Sequence, residues 1–284
     1  MIRPLLADDA FLADVRAADP APALLHLWWL GQSGFLVACG GAHLLLDPYL
    51  SDSLTRKYAA TDKPHVRMTG RVVDPARLGF AGVVTASHAH TDHLDPDTLR
   101  ALAAARPDVT LVVPAAHREL AAERAGVRAL GIDDGETLAA GGFSLTAVPA
   151  AHEAIEHDGG GRMLHLGYVV RRGAFALYHA GDTLPYPGMA ERVRAAAGPG
   201  GLDVALLPIN GRAPERRVAG NLDGGQAAEL AHAAGARLAI PMHYEMFAFN
   251  TAPPGAFEAA CRRLGQPYAV LRAGERRTVA QAVA

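Results

Sequence analysis

The chain has 284 residues, 50% of them apolar, 20% charged and 6% aromatic, enough apolar material for a sizeable globular core. Its 27 basic and 29 acidic residues leave a net charge of −2, so no overall field is available to hold a polyanion, which argues against nucleic acid as a partner. Two cysteines, Cys39 and Cys261, cannot build a disulfide framework, and the acidic N-terminus (Asp8, Asp9, Asp14, Asp19) lacks a long apolar stretch; a cytoplasmic protein without a membrane span is expected.

Residues 1–20 read as a short helix closed by Asp19-Pro20. Apolar runs at 25–30, 35–39 and 43–47, separated by Gly31, Gly34 and the Gly40-Gly41 pair, read as a β-meander. The polar stretch 48–75, with Pro64, Gly70 and Pro75, reads as a long surface excursion of the kind that carries function. A buried-type strand at 82–86 runs straight into the polar segment 87–95. Helices at about 96–105 and 115–125 flank a strand at 109–113, and a strand at 143–148 ends on Pro149-Ala150-Ala151-His152. Strands at 163–171 and 174–179 then lead into Ala180-Gly181-Asp182. A helix at about 186–197, a strand at 204–209, a helix near 223–234, a strand at 237–240 and a helix near 255–264 complete the chain. Meander and mixed α/β thus alternate twice with no proline-rich or charged linker between. That order predicts one α/β domain over 1–284, with similar halves at about 22–150 and 151–284, folded as a four-layer αββα sandwich.

His88, His90, Asp92 and His93 fall within six residues. They follow an apolar strand, at the C-terminal end where α/β sheets place their ligands. Imidazole nitrogen and carboxylate oxygen suit Zn, Mn and Fe, and the alternation lets one turn of backbone aim several of them at a common point. Asp95 before Pro96 reads as a helix N-cap, and His179, inside an apolar strand, as a core histidine.

The segment His88-x-His90-x-Asp92-His93 after an apolar strand resembles the signature of the metallo-β-lactamase-fold superfamily of metal-dependent hydrolases. Further matches come in the family's order: Asp47 at the end of an early strand, His152 after a middle strand, Asp182 in Tyr-His-Ala-Gly-Asp-Thr and His243 in Ile-Pro-Met-His-Tyr-Glu. Together they span about residues 25–250. The surrounding text resembles most closely the L-ascorbate-6-phosphate lactonase-like branch, in Trp28-Trp29-Leu30-Gly31, Leu46-Asp47-Pro48, Leu177 to Asp182 and Ile240 to His243.

The resemblance implies two adjacent divalent ions, Zn, Mn or Fe. His88, His90 and His152 would hold the first, Asp92, His93 and His243 the second, and Asp182 would bridge them. Asp47 is expected to orient the ligand loop through hydrogen bonds rather than bind metal. A metal-activated hydroxide is the expected nucleophile. Asp92 is a candidate to accept its proton, and Tyr244 a candidate acid for the leaving group.

Beyond the strand at 204–209, Asn210, Arg212 and Arg216 are expected to capture an anionic group on the substrate, and the 48–72 excursion to form the opposite wall. The leading reading is a hydrolase of a small anionic ester or lactone, such as a phosphorylated sugar lactone. Its rivals are a phosphodiesterase acting on a nucleotide or phospholipid, and an iron-dependent oxidoreductase on the same fold, whose di-iron branch carries Glu where this chain has His90. Self-association into a homo-oligomer is left open.

Overall fold

The computed structural model describes residues 1–281, so residues 282–284 of the expected domain lie outside the described residues. In chain order the elements are α1 (Asp8–Arg16), β1 (Leu24–Gly31), β2 (Gly34–Cys39), β3 (Ala42–Leu46), α2 (Ser53–Lys57), β4 (Val83–Thr85), α3 (Pro96–Ala105), β5 (Thr110–Pro114), α4 (Arg118–Ala125) and β6 (Ala129–Ile132). There follow β7 (Thr137–Ala140), β8 (Phe143–Pro149), β9 (Leu166–Arg172), β10 (Phe175–His179), α5 (Met189–Ala197), β11 (Leu202–Pro208), α6 (Gly224–Ala233), β12 (Ala236–Met242), α7 (Gly255–Leu264) and β13 (Arg276–Ala280).

The strands form a seven-stranded sheet, β13-β1-β2-β3-β4-β5-β6, and a six-stranded sheet, β12-β11-β10-β9-β8-β7. In each, an antiparallel meander passes into parallel strands: after β3 in the first sheet and after β10 in the second. Helices α3 and α4 pack beside the first sheet, α5 and α6 against the second, and α7 on α6. Phe11 of α1 meets the Trp28 ring edge-on at 6.5 Å. The four-layer αββα sandwich read from the sequence is the fold observed.

Polar groups as well as apolar ones tie the sheets face to face. The Tyr168 hydroxyl of the second sheet donates to the Ala86 carbonyl beyond β4 at 2.9 Å. His179 bonds through Nε2 to the Ser33 carbonyl at 2.8 Å, and Phe35 packs edge-on against its ring. His179 is therefore a satisfied buried histidine whose bond crosses between the sheets. Asp95 caps α3 by accepting from the backbone of Asp97 and Thr98, with Pro96 at the first helical position. It also accepts from Ser53 Oγ at 2.8 Å, which fastens the 48–75 segment to the loop carrying the histidines.

Three elements escape the sequence pattern. β6 is short and contains Gly131, where a Cβ would come within 2.8 Å of the Ala115 backbone. β7 is Thr-Leu-Ala-Ala, with little β propensity. β13 is an edge strand with Arg276 and Arg277, which resists further pairing and carries no apolar alternation. Because β7 and β8 belong to the second sheet, the two halves divide between β6 and β7 rather than near residue 150, and β13 returns to the first sheet. The 48–75 stretch is less of a surface loop than expected. It contains α2 and buries Tyr49 and Leu54 in a small cluster with Met246 and Phe247.

Candidate metal centre

Five strand ends deliver the site. Asp47 follows β3, the 87–93 loop follows β4, His152 follows β8, Asp182 follows β10 and His243 follows β12. Parallel strands facing each other across the sandwich bring these ends to one edge. There the ligand atoms of His88, His90 and His152 form one cluster, those of His88, His93 and Asp182 a second, and those of Asp92, His93 and His243 a third. Within each cluster the atoms lie within 4.8 Å of one another. Shared His88 and His93 make the clusters contiguous.

Asp182 is central. Its carboxylate lies 3.3 Å from His93 Nε2, 3.2 Å from His243 Nε2 and 3.8 Å from His152 Nε2. It does not cap a helix, since α5 begins only at Met189. His152 directs Nδ1 to the Gly220 carbonyl at 3.1 Å, which leaves Nε2 facing His90 Nδ1 at 3.2 Å. Asp47 stands behind the cluster. It accepts from His93 Nδ1 at 2.8 Å, from Thr85 Oγ1 and the Ser87 amide at 3.1 Å each, and from the Ser87 hydroxyl. One buried carboxylate thus holds both the ring and the backbone of the histidine loop.

Asp47 and His243 have left-handed backbones, with φ of 39° and 62°. Such geometry costs a non-glycine residue about 1–3 kcal/mol and persists where surrounding bonds over-determine it. At His243 the amide donates to the Gln32 carbonyl at 3.0 Å, and the Trp29 indole donates to the same oxygen at 2.9 Å.

The electrostatics suit a bound cation. Burial alone would lower the pKa of His93, but Asp182 and Asp92 raise it well above 6.5. Burial would raise that of Asp182, but His243 and His93 hold it well below the carboxylate range. His88 is driven down by burial and by the charges of His93 and His90. His88 Nε2 is buried without a hydrogen-bond partner, and His93 Nε2 and Asp182 Oδ1, 3.3 Å apart, form an ion pair but no well-aligned hydrogen bond. An orphan of this kind costs about 1–3 kcal/mol. A divalent cation would satisfy them together, and a set of nitrogen and oxygen donors without thiolate fits Zn, Mn or Fe.

The cluster opens into a cavity of about 390 Å³, walled by Tyr58, His65, Phe247 and Phe249 on one side and by Ala89, Thr91 and Arg124 on another. His65 stacks on Tyr58 with centroids 4.1 Å apart, and its Nδ1 donates to the Lys63 carbonyl at 3.0 Å. A separate cavity of about 440 Å³ under α1 contains none of the motif residues.

Several expected site residues stand elsewhere. The Tyr244 ring stacks on Trp29 at 4.3 Å, its hydroxyl donates to the Leu271 carbonyl, and burial pushes its phenol well up; it faces the core and cannot protonate a leaving group in the cavity. Arg212 pairs with Glu153, the residue after His152, and so braces that loop. Arg216 donates to the carbonyls of Asn210 and Thr251. The Asn210 side chain lies buried between Asn221 and Asn250. None of the three lines the cavity at the histidine cluster, because partners distant in sequence take up their polar groups.

Four residues that the sequence reading did not assign to the site belong to its surroundings. Gln32 donates from Nε2 to Asp92 Oδ2 at 2.7 Å. Its only sequence signal is an amide in the tight Gly31-Gln-Ser-Gly34 turn. His65 and Arg124 line the cavity. His165 packs beside His88 and His152, with centroids 5.3 and 5.5 Å away.

Burial, with the charges of His152 and His90, lowers the pKa of His165 from 6.5 to about 4. The unfolded chain therefore binds the extra proton between these values, and stability present above 6.5 is lost as pH falls toward 4. His93 acts in the opposite sense. In the metal-free protein, His165→Gln should flatten the fall of Tm with decreasing pH across that window. An unchanged slope would show that His165 does not contribute to it.

Fold and cluster together define a β-lactamase-superfamily metalloprotein, and the family model described as "Beta-lactamase superfamily domain" matches residues 43–244. A UPF0173 metal-dependent hydrolase of Opitutus terrae is 35% identical over 259 residues, covering 88% of this chain and 98% of that protein. The chain belongs to this UPF0173 family of metal-dependent hydrolases. Igni18, a metallo hydrolase from Ignicoccus hospitalis, shares the fold with a TM-score of 0.65 at 23% identity, covering 90% of this chain and 98% of that one. A possible metal-dependent hydrolase from Veillonella parvula gives a TM-score of 0.72 at 14% identity, covering 90% and 100%. These comparisons support the superfamily and the UPF0173 family, and lend no support to the ascorbate-phosphate lactonase branch. Among the described residues no helix is long and apolar enough to cross a membrane.

Proposed function

We propose that the chain hydrolyses a small anionic ester or lactone at a pair of divalent ions held by His88, His90, Asp92, His93, His152, Asp182 and His243. The observation that carries this reading is the convergence of these seven side chains on one contiguous cluster beneath the cavity, with buried ligand atoms that make no hydrogen bond. Divalent ions held there would supply Lewis acidity and make water a nucleophile at neutral pH.

The chain's own groups prepare the rest. Asp92 is the partly exposed member of its cluster. With Oδ2 held by the Gln32 amide, its other oxygen is available to take the proton of the attacking water. Water attack at the acyl carbon forms the new C–O bond, the bond to the alkoxide breaks as the adduct collapses, and the proton taken by Asp92 passes to the departing alkoxide. The wall of Tyr58, His65, Phe247 and Phe249 shields one side of the acyl group from bulk water. Both cysteines are free and buried, which suits a reducing cytoplasm.

The test is chelation followed by reconstitution with Zn, Mn or Fe, and a screen of lactones, esters, thioesters and phosphodiesters in charged and neutral forms. Activity should vanish on chelation, return with Mn or Fe as well as Zn, and favour anionic lactones or esters. Turnover of phosphodiesters alone would overturn the choice of bond. Turnover that survives complete metal removal would overturn the metal centre.

A further inference from the structure

The cations around the cavity mouth fall into two groups. Arg56 pairs with Asp97, Arg67 with Asp52, Arg212 with Glu153 and Arg217 with Asp62. Lys63 donates to the Arg217 carbonyl. Lys57 and Arg124, which line the cavity, have like Lys63 no carboxylate partner among the described residues. Lys57 ends α2 with Nζ 5.2 Å from the Tyr58 ring centroid. Arg124, on α4, uses one guanidinium nitrogen to grip the histidine loop, donating from Nη1 to the carbonyls of Ala89 at 2.6 Å and Leu94 at 3.4 Å. Among the described residues its other N–H groups meet no acceptor.

These two side chains occupy a particular place. The cavity over the histidine cluster adjoins a shallower cleft, and the residues common to both are Lys57, Thr91 and Arg124. Thr91 lies between His90 and Asp92 in the motif, so its hydroxyl rides on the loop that carries the ligands. A flexible ammonium, a hydroxyl and a loop-anchored guanidinium therefore stand along the boundary between the reacting cavity and the cleft.

The geometry points to an oxyanion subsite formed by Lys57, Thr91 and Arg124, which holds a phosphate or carboxylate group of the substrate away from the histidine cluster while the scissile bond lies over it. This deepens the proposed hydrolase reading and rests on it for the word substrate; anion binding itself does not depend on it. Unpaired cations held at a cavity edge keep their full charge for a ligand, and Arg offers a fork that matches oxyanion geometry. The subsite also explains how an anion could be accommodated without occupying the ligand atoms of Asp182 and its neighbours. It takes the role that the sequence pattern assigned to Arg212.

The experiment titrates metal-loaded protein with inorganic sulfate, and separately with acetate, by calorimetry. Lys57→Gln should weaken anion binding about tenfold or more, with metal content unchanged, and Lys57→Arg should restore it. Arg124→Gln should weaken it at least as much. Preference for sulfate would assign the subsite to a tetrahedral oxyanion, and preference for acetate to a carboxylate. Absence of anion binding in the wild type, or wild-type affinity in both Lys57→Gln and Arg124→Gln, would overturn the subsite. With a turned-over substrate in hand, Lys57→Gln should raise KM for its anionic form and leave the neutral form unaffected. If the substrate screen yields nothing, the hydrolase reading fails while the titration still decides the subsite.

Discussion

Asp182→Ala should abolish turnover of every substrate, charged or neutral, while the protein remains folded. Among the described residues, Asp182 is the one side chain whose carboxylate lies within 4 Å of imidazoles from three separate loops, those of His93, His152 and His243. Two consequences follow from deleting it. The middle cluster, which joins the other two through His88 and His93, loses its oxygen donor, so metal content should fall by at least half. The imidazoles also lose the negative charge that now balances His93. A metal centre contributes several kcal/mol to transition-state stabilisation, and at 1.36 kcal/mol per tenfold the expected loss in kcat is about a thousandfold or more. Elemental analysis and kcat on the same preparation check both parts. Full metal content with near-normal kcat would mean that Asp182 is a structural acid beside the centre rather than its bridge.

The parts of this site that sequence could disclose are those carried by local order. His88, His90, Asp92 and His93 lie on one short loop after a strand, so spacing alone brings them together. His152, Asp182 and His243 are single residues whose meaning depends on which strand ends face each other. A resemblance to a known family supplied that, and the sandwich provides the physical reason. Other features depend on side-chain direction and remote partners. Tyr244 follows His243 directly, yet a left-handed residue at 243 turns the chain and sends the phenol into the core against Trp29. Arg212 looked available in its loop, but Glu153 reaches it from the loop of His152. Arg124 sits in an ordinary alanine-rich helix and acquires significance only because α4 packs behind the histidine loop. The strands β7 and β13 were illegible for a simpler reason: their side chains carry no alternation of apolar and polar residues.

Asp47→Asn, replacing one carboxylate oxygen by an NH2 group, should weaken metal binding by about 10–100-fold, although Asp47 stands behind the ligand cluster and is not a member of it. To present a lone pair at Nε2, neutral His93 must keep its proton on Nδ1, and Asp47 Oδ2 accepts that proton at 2.8 Å. The other demands on this carboxylate come from the Ser87 amide, the Thr85 hydroxyl and the Ser87 hydroxyl. Asparagine offers one oxygen and one NH2 group. If the NH2 faces His93, it favours the tautomer with the proton on Nε2, which cannot ligate. If the amide flips, the NH2 opposes the Ser87 backbone N–H, and two donors confront each other in a site with no access to water. Neither orientation preserves both the tautomer and the loop. Metal-competition titration with a chromophoric chelator would measure the loss, and Asp47→Glu would not rescue it, because the longer side chain cannot occupy the same buried space without displacing Ser87. Wild-type affinity in Asp47→Asn would show that the ring of His93 is held by the ligand cluster itself and needs no carboxylate behind it.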